Sequence, residues 1–134
     1  MKIKFSKSNI TPEQNKRVID VLNSGWLTHG KYTNLFEREF QSFTKSKYAI
    51  TVSSCTAALH LSVLCCGFQK GDEVIVPAQT HTATSHAVEY SGAKVVFADI
   101  DLFTGNLSLK NIKKKTTSKT KGIIVVHMAG LPCE

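Results

Sequence analysis

Two short stretches carry side chains whose types and spacing could do chemistry. In the first, Val52-Ser53-Ser54-Cys55-Thr56-Ala57, small and hydroxylated residues separate an apolar run from an apolar helical pattern. A cluster of this kind between a strand and a helix leaves the amides of the first helical turn pointing outward. Those amides form an anion site, and small side chains let a phosphate reach the backbone. Ser54 and Thr56 add hydroxyl donors. The plainer reading is a helix cap, which Ser and Thr also provide. No Gly-Lys-Ser/Thr follows and no G-x-G-x-x-G occurs, so neither a Walker loop nor a dinucleotide fingerprint is present.

The second stretch, "VPAQTHTATSHAV", places His81 four residues beyond Pro77 and just ahead of another helical pattern. A planar ring there can lie against a flat cofactor whose phosphate occupies the first site. It can equally be a surface or capping histidine. His81 and His86 are five apart, which misses the i, i+4 pairing of a helical zinc site, so no metal is expected. Cys55, Cys65, Cys66 and Cys133 form no C-x-x-C and no disulfide framework. They read as reduced thiols with mainly a packing role, and the helix carrying Cys65 and Cys66 is expected to be mostly buried.

These residues need elements to position them. "TPEQNKRVIDVLNSG" has Thr11 as N-cap, Pro12 at the first helical position and Gln14 to complete a capping box, with Gly25 as the stop. A loop, "WLTHGKYTN", leads to a second helix with Phe36, Phe40 and Phe43 on one face. "YAITV" (Tyr48 to Val52) then reads as a strand, "TAALHLSVLCCGF" as a helix, and "GDEVIVPAQT" as a strand that Pro77 ends. "TATSHAVEYSGA" is helical in spacing and "KVVFADI" is a strand. A turn at Thr104-Gly105-Asn106 leads to a short basic helix capped by Ser108, and "GIIVVHM" (Gly122 to Met128) is a fourth strand. Alternation of helices with apolar strands covered on both faces means an α/β layer with a mostly parallel sheet and two leading helices.

Composition excludes several classes. With 42% hydrophobic and 20% charged residues, the 134-residue chain is an ordinary globular sequence rather than a disordered one. No apolar stretch approaches the roughly 18 residues of a membrane span, so no membrane partner is expected. The start, "MKIKFSKSNITPEQ", shows neither an apolar signal core nor a cleavage site, which makes a cytoplasmic location the default. The net charge of +7 draws on six lysines in "KNIKKKTTSKTK". Without interleaved Arg or aromatic residues this run reads as a solvated helix end and loop, and nucleic acid is not an expected partner. The chain stops at "AGLPCE" with no helix to cover the last strand, as if it were the leading part of a longer protein.

"GWLTHGKYTNLFEREF", "VSSCTAALHL", "GDEVIVPAQTHTATSHAV", "GAKVVFADID" and "IIVVHMAGLP" occur in one family's order and spacing. The chain resembles the N-terminal portion of a nucleotide-sugar aminotransferase of the DegT/DnrJ/StrS type. The resemblance implies the pyridoxal-phosphate-dependent transferase fold of type I. It divides the chain into an N-terminal helical segment with a substrate loop (1–46) and an incomplete α/β cofactor-binding large domain (47–134). Pyridoxal 5'-phosphate is the implied cofactor, with its phosphate at Ser54, Cys55, Thr56 and Ala57 and its ring against His81. Cys55 stands where the family usually has Gly, and His81 where it commonly has another aromatic. Trp26, Thr28 and His29 match a loop bordering the sugar site, and His127 lies near the cofactor side with a less defined role.

The implied reaction moves an amino group from an amino acid donor such as glutamate to a keto-sugar nucleotide, in amino-sugar and polysaccharide biosynthesis. The implied assembly is a homodimer. The family's acidic partner for the pyridine nitrogen and its Schiff-base lysine both follow the segment matching "VHMAGLP", so no catalytic lysine is assigned in this chain. "SFTKSK" (Ser42 to Lys47) does not supply it, because it precedes the phosphate loop and its spacing is wrong. The chain alone is therefore expected not to transaminate. Other readings stay open: a non-catalytic remnant, half of a split enzyme, a pyridoxal-phosphate sugar dehydratase of the same family, or an unrelated Rossmann-like nucleotide binder.

Overall fold

A computed structural model describes residues 6–134; residues 1–5, at the head of the 1–46 segment, lie outside the described part. The described residues fall into two compact units, one ending at Thr51 and the other spanning Val52–Glu134.

The first unit holds α1 (Pro12–Asn23) and α2 (Lys31–Thr44). The capping box forms as its spacing predicts: Gln14 N–H donates to Thr11 Oγ1 at 3.3 Å, and Thr11 N–H to Gln14 Oε1 at 2.8 Å. Gly25, at φ 67°, takes the left-handed turn that ends the helix. Phe36 and Phe40 lie one turn apart on α2, with ring centroids 5.9 Å apart.

The second unit contains α3 (Cys55–Cys65), β1 (Glu73–Pro77), α4 (Thr82–Tyr90), β2 (Lys94–Ala98), α5 (Leu109–Lys115), β3 (Thr120–Ile123) and a 3-10 turn at Met128–Gly130. The three strands form a parallel sheet in the order β2-β1-β3. Central β1 is buried along its whole length. Its alternating side chains feed two cores. Val74 and Val76 pack with Val88 of α4 on one face, and Ile75 packs with Ala98, Leu107 and Ile112 of α5 on the other. Pro77 closes the strand because a residue without N–H cannot extend the ladder.

Three expectations are corrected. Tyr48 to Val52 is not a strand: it is an extended segment with no ladder partner, and Thr51 N–H donates to the Glu37 carboxylate at 2.8 Å instead. Tyr48 and Ile50 are correspondingly exposed. The last strand is Thr120–Ile123 rather than Gly122 to Met128. Its pairing with β1 runs out after the Ile124 N–H to Ile75 carbonyl bond of 2.9 Å, two residues short of Pro77. Cover on both faces holds fully for β1 only; β2 and β3, one on each side of it, are partly exposed.

The thiols differ as well. Cys55, Cys65 and Cys66 are exposed and Cys133 is half-buried, all four unbridged. Helix α3 is apolar nearly all round, but it packs on α4 along one face and buries only Val63. A helix with one covered side leaves its remaining apolar positions, including Cys55 and Cys65, open. No helix among the described residues is long and apolar enough to cross a membrane.

Candidate functional site

The sheet order decides where a ligand can sit. The chain passes from β1 to β2 on one side and returns to β3 on the other, so the reversal falls between the carboxyl ends of β1 and β3. Open α/β sheets bind ligands at such a switch point. A cavity of about 730 Å³ lies there, lined by Cys55 and Thr56 of α3, Gln79 and His81 after β1, Thr84 of α4 and Met128 after β3. Two stretches separated by some 25 residues of sequence thus share one hollow, which no local pattern dictates.

Each wall has a local reason for its shape. Ser54 is the N-cap of α3: its Oγ accepts the Ala57 N–H at 3.1 Å, and its carbonyl accepts the Ala58 N–H at 3.1 Å. The amides of Cys55 and Thr56, one turn too early to find a carbonyl within α3, stay available to a ligand. The Ala57 amide donates to the Ser54 cap and stands beside them in the same first turn. His81 is in turn the N-cap of α4, its Nδ1 accepting the Ala83 N–H at 3.1 Å. A ring nitrogen that accepts carries no proton, so the neutral ring bears its hydrogen on Nε2. The Thr80 and Thr84 hydroxyls, also in the lining, lie 2.8 Å apart.

The lining is largely apolar, with the hydroxyl residues Thr56, Thr80 and Thr84 in it and no lysine or arginine among the described residues that form it. An anion held there would rely on first-turn amides and the helix dipole, worth roughly half a positive charge. A flat heterocycle carrying a phosphate matches this set: amides of Cys55 and Thr56 for the phosphate, the His81 ring and apolar walls for the heterocycle. Pyridoxal phosphate, the group the family resemblance implies, therefore fits the residues present. His127 stands slightly apart. It is exposed, its Nδ1 accepts the Cys133 N–H at 3.1 Å, and its neighbours Val126 and Met128 line the cavity.

In the first unit, Trp26 and Thr28 line a hollow of about 500 Å³ together with Asp20, Lys31 and Tyr32. The Trp26 indole N–H donates to the His29 carbonyl at 2.8 Å, which folds the loop back on itself. The His29 ring is not part of that lining; its Nε2 lies 3.4 Å from the Thr51 hydroxyl. Thr51 also donates its hydroxyl to Glu37 at 2.7 Å. The Thr51 amide, then its hydroxyl, hold the Glu37 carboxyl below the usual range, with a smaller contribution from His29. A third hollow, of about 470 Å³ between α1 and α2, is lined mainly by apolar side chains such as Val18, Leu22, Leu35 and Phe36. It offers no amide cluster for an anion.

Sequence reasoning missed Gln79, Thr84 and Met128 as cavity walls, and the Glu37–Thr51 pair. Thr80 and Thr84, four apart across a helix start, were the one available local signal. Among the described residues no group of three His, Cys, Asp or Glu lies close enough to hold a metal ion.

The profile of the DegT/DnrJ/EryC1/StrS aminotransferase family matches residues 8–134. GDP-perosamine synthase of Escherichia coli O157:H7 is 41% identical over 127 residues, 94% of this chain and 35% of that protein. Spr1654 from Streptococcus pneumoniae, a protein assigned as a sugar aminotransferase and solved in its PLP form, superposes with a TM-score of 0.90 at 38% identity. The match covers 98% of this chain and 34% of that one. The E. coli GDP-4-keto-6-deoxy-D-mannose-3-dehydratase with bound hydrated PLP gives 0.82 at 33% identity, covering 90% and 32%. The chain thus spans about a third of the length of the relatives it matches.

Proposed function

This chain belongs to the DegT/DnrJ/EryC1/StrS aminotransferase family, and on that premise we propose that it is the N-terminal part of a pyridoxal-phosphate-dependent sugar aminotransferase. The complete enzyme would move an amino group from an amino acid, glutamate by preference, to a keto-sugar nucleotide for amino-sugar or polysaccharide synthesis. It would act in the cytoplasm as a homodimer.

One observation carries the reading: Thr56, at the start of α3, and His81, ahead of α4, line the same cavity at the sheet's switch point. Bound pyridoxal phosphate supplies an electron sink for chemistry at the donor's α-carbon. This chain's share is to hold and orient. The first-turn amides of Cys55, Thr56 and Ala57 and the Ser54 and Thr56 hydroxyls take the phosphate, while His81, fixed by its cap, lies along the ring. Cys55, in place of the family's usual glycine, leaves the Thr56 amide open because its own side chain is small. Trp26, Thr28 and His29 border the sugar, and His127 flanks the cofactor side. The division into a helical segment with its substrate loop (1–46) and a cofactor-binding portion (47–134) goes with these roles. No lysine of this chain lines the cavity among the described residues, so the isolated chain is proposed to bind without turning over.

A second reading has specific support: the likeness to a dehydratase with bound hydrated PLP, weaker than that to the sugar aminotransferase, is consistent with a pyridoxal-phosphate sugar dehydratase. The two diverge at a base that this chain does not contain. Calorimetric titration of the chain with pyridoxal 5'-phosphate tests the cofactor role, and absence of saturable binding removes it. Joining the chain to the C-terminal two-thirds of a relative and assaying nucleotide keto-sugars with glutamate separates amino transfer from loss of water.

A further inference from the structure

We infer that Asn106 is a positioning residue for the cavity, acting through Met128; the inference rests on the reading that this cavity takes pyridoxal phosphate. Asn106 is only 4% exposed, and both ends of its carboxamide are engaged by one distant segment. Its Oδ1 accepts the Met128 N–H at 2.8 Å. Its Nδ2 donates to the Leu131 carbonyl at 2.9 Å and to the Pro132 carbonyl at 3.3 Å. The amide orientation is fixed by its partners, since an N–H requires the oxygen and two carbonyls require the nitrogen.

The segment so gripped is a turn with two bonds of its own, Gly130 N–H to the His127 carbonyl at 3.0 Å and Leu131 N–H to the Met128 carbonyl at 2.9 Å, and one strained residue. Ala129 at φ 51° and Gly130 at φ 85° are both left-handed, and an alanine there is disfavoured by its Cβ. The clamp binds residues on either side of this pair, so it over-determines a turn that the local chain resists. The neighbouring residue serves the same target. A Cβ on Gly105 would meet Met128 Cγ at 3.3 Å, so the glycine leaves room for the methionine side chain while Asn106 holds its amide. Met128 itself lines the cavity with Thr56 and His81. Two adjacent residues outside the cavity's chemistry thus set where one of its walls stands. Met128, apolar and unbranched, closes the apolar side on which a heterocycle would rest.

The test uses the 134-residue chain, pyridoxal 5'-phosphate titrated by calorimetry, and hydrogen exchange at the Met128 amide on the same samples. Asn106→Ala is expected to speed exchange at Met128 while Val74 to Val76 stay protected, and to weaken binding about tenfold. Met128→Ala is expected to weaken binding too, with the amide of residue 128 still protected. A merely structural asparagine would lower the melting temperature and leave affinity at lower temperature unchanged. Should Asn106→Ala fail to fold, Met128→Ala decides by the same criterion. If the unsubstituted chain binds and the variant binds equally well, the positioning role is overturned alone. If the unsubstituted chain does not bind, the cofactor reading is overturned and the positioning role with it.

Discussion

His81 Nδ1 accepts the backbone N–H of Ala83 at 3.1 Å, so the ring that faces the cavity is also the cap of α4. The two readings open from sequence, ring platform or helix cap, are therefore not exclusive. Capping fixes the ring's tautomer and its angle at once, and leaves its face free. A platform anchored in this way loses little side-chain freedom when a ligand arrives.

Dual use can be separated by substitution. His81→Ala removes both roles and should cost about 1 kcal/mol of stability through the lost cap. His81→Asn restores a capping oxygen without a flat ring. Alanine is expected to lower the melting temperature and to shift the visible spectrum of added pyridoxal 5'-phosphate, while asparagine should recover the melting temperature alone. An unshifted spectrum in both variants would remove the platform role.

On the α3 wall of the cavity, access to the first helical turn is what matters. Thr56→Trp should weaken pyridoxal 5'-phosphate binding by about tenfold or more, since a phosphate could no longer reach the amides that need it. Thr56→Ser, which keeps a hydroxyl and adds no bulk, should bind nearly as the parent does. Equal affinity across the three proteins, measured by calorimetry, would place the phosphate elsewhere.

Much of this was legible because local rules were consistent. Thr11, Ser54 and Ser108 cap helices where hydroxyl residues precede apolar periods, and Pro77 ends its strand for want of an N–H. Five motifs in one order led to the family, which the profile match over residues 8–134 bears out. What escaped was non-local. Tyr48 to Val52 has strand composition, yet a strand needs a partner, and composition does not report one. The apolar character of α3 suggests burial of its cysteines, but an apolar helix is buried only where another element lies against it. Asn106 looked like turn punctuation, and its grip on Leu131 and Pro132 spans a separation no periodicity reveals.

Packing between Phe68 and Gly122 gives a sharp stability prediction. A Cβ on residue 122 would stand 2.5 Å from Phe68 Cζ, so the ring crosses β3 where a side chain would otherwise rise. Phe68, half-buried, packs against the cluster of Val74, Val76 and Val88, so a shift of its ring disturbs that contact. Gly122→Ala should therefore destabilise the protein by about 1–3 kcal/mol despite its better strand propensity. Gly71→Ala probes a glycine with open space around it, where φ 102° alone sets the cost. Urea unfolding of both separates crowding from backbone strain, and a stabilised Gly122→Ala would show that the ring moves freely.

Acid should loosen the sheet at a definable place. Glu73, at the head of β1, accepts the Thr117 hydroxyl at 2.6 Å and Lys94 Nζ at 3.2 Å, tying the central strand to the approach of β3 and the start of β2. The Thr117 hydroxyl, followed by Lys94, holds its carboxyl below the ordinary 4.5. A carboxyl with a lowered folded value binds fewer protons folded than unfolded, so its stabilisation is complete above the ordinary value and is lost as pH falls through the lower one. Asp101, lowered by the Thr104 and Phe103 amides, and Glu37 act in the same direction. Melting temperature should accordingly hold level above about pH 5 and fall below about pH 4. Glu73→Gln removes one of these protonations, so its melting curve series should fall less steeply in acid, from a lower value at neutral pH where the Lys94 attraction is gone. Parallel slopes in the parent and Glu73→Gln would mean that Glu73 takes no part in the acid transition.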